Sequence, residues 1–194
     1  MMQQHALVLL GCRGSGKDTL YQQFASDPAH FGAVRNCKFS ELTKSLVASA
    51  FGVRREDLED KLLRTTPVNP DYLGDLTTLD LLDALYHATH LSSSSCRRLA
   101  EANVKYTVAR AKASKAPLLV FTDVRRKAEA EAVAREFPYT ALHLHRVGTY
   151  PTDTDKGILD ASDVLDACHY TIKSGESPEQ TYTKVKTLLQ KLEN

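Results

Sequence analysis

Long apolar runs are missing from this chain. Across its 194 residues none approaches the ~20 consecutive apolar positions that a membrane-spanning helix needs, and no signal-peptide pattern opens it. A membrane-embedded protein is thereby set aside, and a reducing cytoplasm is the expected compartment. Cysteine is sparse as well. Cys12, Cys37, Cys96 and Cys168 are scattered without Cys-x-x-Cys spacing, which offers neither a zinc site nor a disulfide framework. Charge of one sign is also lacking: 25 Lys and Arg against 24 Asp and Glu leave a formal net charge of +1. Nonspecific attraction to nucleic acid or to a membrane surface is therefore not expected. No internal repeat is found, and the one low-complexity stretch, Ser92–Ser95, reads as the end of one helix and the cap of the next.

The composition that remains, 42% hydrophobic and 25% charged, is that of an ordinary globular protein. The length suits one α/β domain and is short for two. Apolar runs predict strands at Ala6–Leu10, Ala33–Phe39, Pro117–Thr122, Ala141–His145 and Tyr170–Ile172. Helical periodicity predicts helices at Lys17–Phe24, Ser40–Phe51, Arg55–Leu63, Thr78–Thr89, Arg97–Ala113, Lys127–Phe137 and from Pro178 to about Leu192. Ser40 is the expected cap of the second helix and Ser95 that of the helix from Arg97, while the stretch Thr65–Asp75, with Pro67 and Pro70, reads as an irregular loop. Alternating strands and helices imply an α/β fold with a largely parallel sheet and helices on both faces, binding ligands outside the carboxyl ends of its strands.

The most informative stretch is Gly11-Cys12-Arg13-Gly14-Ser15-Gly16-Lys17-Asp18-Thr19. It follows the apolar run Ala6–Leu10 and opens a helix, the context in which a glycine-rich turn becomes a phosphate-binding loop. Gly11, Gly14 and Gly16 let successive N–H groups turn inward toward phosphate oxygens, and Lys17 supplies a cation for the β- and γ-phosphates. The hydroxyl usual after this lysine is replaced by Asp18, with Thr19 one position later. A dinucleotide-binding turn fits worse, because Gly-x-Gly-x-x-Gly read from Gly14 meets Thr19 where glycine is required and leaves Lys17 unexplained. The loop reads as a site for a nucleoside triphosphate. Cys12 lies inside it, either as a small tolerated residue or as a thiol whose modification would block nucleotide entry.

A second pattern, Asp123-Val-Arg125 with Glu129 after it, ends the apolar run Pro117–Thr122 and so falls on the same sheet edge. An aspartate there can hold magnesium through water or orient an acceptor, and Arg125 can neutralise charge on a transferring phosphoryl group. Glu129 reads equally as an ion-pair partner at a helix start.

Taken together, the loop GCRGSGKDT, the strand-ending TDVR with a later glutamate, the strand ALHLHRV, the segment KFSELTKSLVASAFGV and the closing YTIKSG…SPEQTYTKVKTLL resemble the deoxynucleoside monophosphate kinases of tailed phages and some bacteria. The similarity is spread over most of the chain, with the loop and the Asp-x-Arg motif its specific parts. It implies a three-layer α/β/α P-loop NTPase fold of the nucleoside monophosphate kinase kind over residues 1–194, with a helical acceptor-binding lobe at about 40–112 and a lid at about 146–163. It implies ATP and Mg2+ as cosubstrate and cofactor, small-molecule nucleotides as partners, and a monomer or homodimer. Gly11, Arg13, Gly14, Ser15, Gly16, Lys17, Asp18 and Thr19 would hold the triphosphate, and Asp18, Thr19 and Asp123 the magnesium. Arg35, Ser40 and Lys44 would receive the acceptor phosphate. Arg125, helped by Arg126, would bridge the two phosphate chains, and Arg146 would lie against adenine or a phosphate. The chain departs from the family in two places. Leu76–Leu85 carries Thr77, Thr78, Asp80 and Asp83 where the family has an arginine-led helix, and Arg146-Val-Gly148 replaces an Arg-Pro-Gly lid start. These bear on base and sugar more than on the reaction. A kinase of phosphomevalonate, shikimate or dephospho-coenzyme A, and a non-catalytic ATP-binding regulator, remain alternatives.

Overall fold

The computed structural model describes residues 4–29, 33–67, 75–88, 94–150, 158–173 and 175–192. Its elements are β1 (His5–Leu10), α1 (Lys17–Ser26), β2 (Val34–Cys37), α2 (Glu41–Phe51), α3 (Lys61–Arg64), α4 (Thr78–Ala88), α5 (Ser94–Ala113), β3 (Leu118–Phe121), α6 (Lys127–Glu136), β4 (Tyr139–Arg146), α7 (Ile158–Val164), β5 (Cys168–Ile172) and α8 (Pro178–Leu192). The chain divides into two compact units, residues 1–38 with 108–194, and residues 39–107.

In the first unit the described strands form one sheet in the order β2-β3-β1-β4-β5, every pair parallel. Ala6 to Leu10 are at most 2% exposed, as a central parallel strand covered on both faces must be. Leu7 and Leu9 point to one face, where Val120, Leu142 and Leu144 join them against Leu20 and Phe24 of α1 and Val185 of α8. On the other face the Phe121 ring lies 6.0 Å from that of Phe137, just past α6, and His143 meets Ser162 of α7. The three-layer α/β arrangement follows from that alternation. Each buried leucine contributes about 2 kcal/mol, whereas an exposed ion pair such as Arg54–Asp57 is screened by water and adds little. The core therefore fixes the layers. A polar clasp adds to it: Asp27, at the end of α1, accepts from the Tyr182 hydroxyl and from Lys186 Nζ (2.7 Å) of α8. Those bonds hold its carboxyl well below the usual carboxylate range, Lys186 contributing most.

The second unit has its own small core of Val47, Ala48 and Leu58, packed by Phe51, Val53, Leu82 and Leu85. Buried Thr43 and Asn103 hydrogen-bond to each other within it at 2.8–3.2 Å.

Three expectations about elements need correction. The helix expected over Arg55–Leu63 is a 3-10 turn, Glu56–Leu58, followed by α3. Asp60 between them is extended (φ −75°, ψ 125°), and its carboxylate accepts from the N–H groups of Leu62 and Leu63, so a cap interrupts what periodicity joins. Helix α5 starts at Ser94, which places Ser95 in the first turn and not at the cap. Ser40 does occupy the cap position of α2, but its backbone is already helical (φ −74°, ψ −6°) and its side chain makes no capping bond. Of the expected proline-bearing loop, 68–74 lie outside the described residues, and Pro67 near its start forms an antiparallel bridge with Thr77, two residues past its end. Among the described residues no helix is long and apolar enough to cross a membrane.

Candidate phosphate-binding site

The register explains why two motifs more than a hundred residues apart share one edge. Val8 of β1 pairs with Phe121 of β3, so two residues on, the end of β1 stands abreast of Asp123. The chain leaves β1 toward α1 on one face and leaves β3 toward α6 on the other. Adjacent strands whose connections part in this way open a crevice at their carboxyl ends, the usual ligand position in such sheets.

The loop from Gly11 to Gly16 lies at that edge. Gly11 has φ +137°, and a Cβ built on it would sit 2.4 Å from the carbonyl oxygen of Leu144 and 2.6 Å from Ser15 Oγ. A side chain cannot be accommodated there, because the nearer obstacle is backbone. Gly16 is the N-cap of α1 in the left-handed region, with φ 96° and ψ 8°. It turns the chain so that the first N–H groups of α1, at Lys17, Asp18 and Thr19, have no acceptor within the helix and face the loop. Lys17 is 9% exposed, and its ammonium donates to the carbonyls of Gly11 and Cys12 (2.8 Å to the latter) and reaches Ser15 Oγ at 3.3 Å. The loop thus curls around one buried cation and one helix N-terminus, a cradle of positive potential fitted to phosphate oxygens.

The Asp123 turn comes to the same place. Thr122 Oγ1 lies 3.4 Å from Asp18 Oδ1 and 3.3 Å from Asn36 Oδ1, which ties the end of β3 to the first turn of α1 and to β2. Lys38, just past β2, pairs with Asp18 at 3.3 Å. Asp18, Thr19 and Asp123 offer oxygen donors alone, which suits a hard cation such as Mg2+. Arg146 ends β4, and its carbonyl accepts from the N–H (3.1 Å) and hydroxyl (2.8 Å) of Thr149. A Cβ on Gly14 would lie 3.7 Å from the Thr149 methyl, so the turn after Arg146 borders the loop. Arg13 is exposed on the loop itself.

Glu129 has a different job from an ion pair alone. It is 5% exposed, and its Oε2 accepts from the backbone N–H groups of Arg125 (2.8 Å) and Arg126 (3.2 Å), with Arg126 Nε 3.9 Å from Oε1. It closes the start of α6 and fixes the turn that carries Asp123 and Arg125. Burial pushes its carboxyl up to about 7, against the pull of those two N–H groups and of Arg126. The unfolded chain gives up this proton near the ordinary glutamate value, so the protonated carboxyl's contribution to stability is full below that value and is lost as pH rises through about 7. Glu129→Gln is expected to flatten that part of the stability profile, measured as urea midpoints from pH 4 upward for both proteins. Identical profiles would contradict this. Glu129→Ala, which leaves both N–H groups without their acceptor, is expected to cost about 1–3 kcal/mol.

Arg35 is exposed in the middle of the edge strand β2, two residues short of its end. Ser40 and Lys44 belong to the second unit, where Lys44 Nζ is paired with Glu59 at 2.8 Å. Glu59 is also held by Arg55 at 3.0 Å, and Arg55 in turn by Glu41 at 2.7 Å. Residues 151–157, the middle of the expected lid, lie outside the described residues. Sequence reasoning missed Lys38, Asn36 and Thr122. The apolar run that revealed β3 hid Thr122 as its last member, and a lone lysine past a short strand carries no pattern.

No family model matches the chain, and no curated protein matches it. Two solved structures similar to it are an unliganded sugar kinase from Janibacter sp. HTCC2649 and the shikimate kinase of Acinetobacter baumannii in complex with shikimate. The first is 17% identical with a TM-score of 0.39, the match covering 97% of this chain and 95% of that one. The second is 12% identical with a TM-score of 0.42, covering 97% and 94%.

Proposed function

We propose that the protein transfers the γ-phosphoryl group of ATP to the 5′-phosphate of a (deoxy)nucleoside monophosphate. The observation that carries this reading is the loop: a buried lysine enclosed by glycine turns at a helix N-terminus, abreast of an Asp-x-Arg turn on the neighbouring strand. The acceptor assignment rests on the resemblance quoted above.

The N–H groups of Gly14 to Thr19 bind the β- and γ-phosphates, and Lys17 Nζ donates to the oxygens between them. An oxygen of the acceptor phosphate attacks the γ-phosphorus, the bond to the β-bridging oxygen breaks, and ADP leaves with that bond's electrons. The acceptor phosphate is already an oxyanion, so no general base is required. Arg125 neutralises charge on the transferring group, assisted by Arg126, while Glu129 holds both backbones in place. Asp18, Thr19 and Asp123 would hold Mg2+, which supplies charge neutralisation along the phosphate chain. Arg35, Ser40 and Lys44 are assigned the acceptor phosphate. Arg146 is assigned adenine or a phosphate, and 146–163 the lid that excludes water.

ADP release is expected to be slow with ATP and Mg2+ alone and to rise at least about a hundredfold with one nucleoside monophosphate. A rise with shikimate or phosphomevalonate in its place would move the assignment to a non-nucleotide acceptor. Tight ATP binding with no acceptor-dependent release would favour a regulator.

A further inference from the structure

We infer that His143, His145 and His169 form a binding site for one divalent transition-metal cation, with Zn2+ as the probe. His143 and His145 are two apart on β4 and so share a face, and His169 of β5 is the register partner of His143. Their ring centroids lie 4.2, 5.0 and 5.1 Å apart. One ring nitrogen from each falls within 4.8 Å of the others. A four-coordinate zinc with nitrogen ligands needs those atoms about 3.3 Å apart. His145 Nε2 and His169 Nδ1 are 2.8 Å apart, so this pair opens slightly while the third nitrogen closes in. Both of these side chains are exposed, whereas His143 is 3% exposed and anchored.

The surroundings fit a metal better than a hydrogen-bonded cluster alone. Ser162 Oγ lies 3.2 Å from His143 Nδ1, which orients the ring and leaves Nε2 as the ligating atom. Among the described residues no fourth histidine, cysteine or carboxylate joins the group, which leaves a coordination position for water or a small ligand. Imidazole nitrogens favour Zn2+, Cu2+ or Ni2+ over Mg2+, so this site is chemically distinct from the oxygen donors at Asp18 and Asp123. It lies beside the phosphate loop all the same, since the carbonyl of Leu144, between the two β4 histidines, is what closes on Gly11.

Equilibrium dialysis of the chelator-stripped protein against Zn2+ tests the site without reference to kinase activity. One Zn2+ per chain is expected. His145→Ala and His169→Ala, both at exposed positions, should keep the wild-type circular dichroism and weaken binding at least about tenfold each, with the double variant losing it. Co2+ in place of Zn2+ should give the strong visible absorption of a low-coordinate site, absent in the double variant. Failure of the wild type to bind Zn2+ stoichiometrically, or undiminished binding by the double variant, would overturn the assignment.

Discussion

Lys17→Ala is expected to lower the rate of phosphoryl transfer at least about a thousandfold while the protein stays folded. The loss follows from where the ammonium stands. It is nearly buried, clasped by the carbonyls of Gly11 and Cys12, and adjoins the first N–H groups of α1. No other cation is enclosed by the loop among the described contacts, and a charge at low exposure acts through less screening than one in water. Triphosphate oxygens are stronger acceptors than the two carbonyls, so the ammonium changes partners without leaving its place. Truncation also removes a donor from those carbonyls, and a small loss of stability is expected. The core of β1, β3 and β4 against α1 and α8 does not involve the side chain. Circular dichroism and a thermal midpoint within several degrees of wild type would separate lost chemistry from lost fold. Turnover near the wild-type level would remove the loop from the mechanism.

Arg125→Ala is expected to cut kcat by about 10^3-fold or more with little change in KM for ATP, the signature of a group whose interaction strengthens as charge develops on the transferring phosphoryl. Arg125 follows Asp123 by two residues at the end of β3, and its backbone N–H is pinned by Glu129 at 2.8 Å. The guanidinium is thus carried on a rigid turn. Arg125→Lys should restore only part of the rate, since a point charge cannot reproduce a two-pronged contact with phosphate oxygens. A change confined to KM would make Arg125 a binding residue instead.

The sheet was legible because its signal is local. Ala6–Leu10 and Leu118–Phe121 are unbroken apolar runs, and both are buried parallel strands. The loop was legible because glycine spacing with a lysine has few other uses. What escaped reading depends on register or on single polar residues. Glu129 looked like an ion-pair partner because its role, accepting two backbone N–H groups, is set by a turn that spacing does not specify. His143 and His145 alternate with leucines in ALHLHRV, but His169 joins them only once β5 pairs with β4, and no sequence pattern dictates that pairing. Arg55–Leu63 failed as a helix because Asp60 satisfies a cap more readily than it continues a turn. Lys44 was legible as a lysine on a helix, whereas its pairing with Glu59 depends on how the second unit folds back on itself.

The central claim is tested most directly by mass spectrometry of the products formed from ATP, Mg2+ and a pooled set of ribo- and deoxyribonucleoside monophosphates, with Lys17→Ala run in parallel. The expected result is one or a few new nucleoside diphosphates beside ADP, in equal amount to it, with the wild type and not with the variant. Absence of any new diphosphate while ATP still binds, or the same diphosphates from Lys17→Ala, would contradict the account.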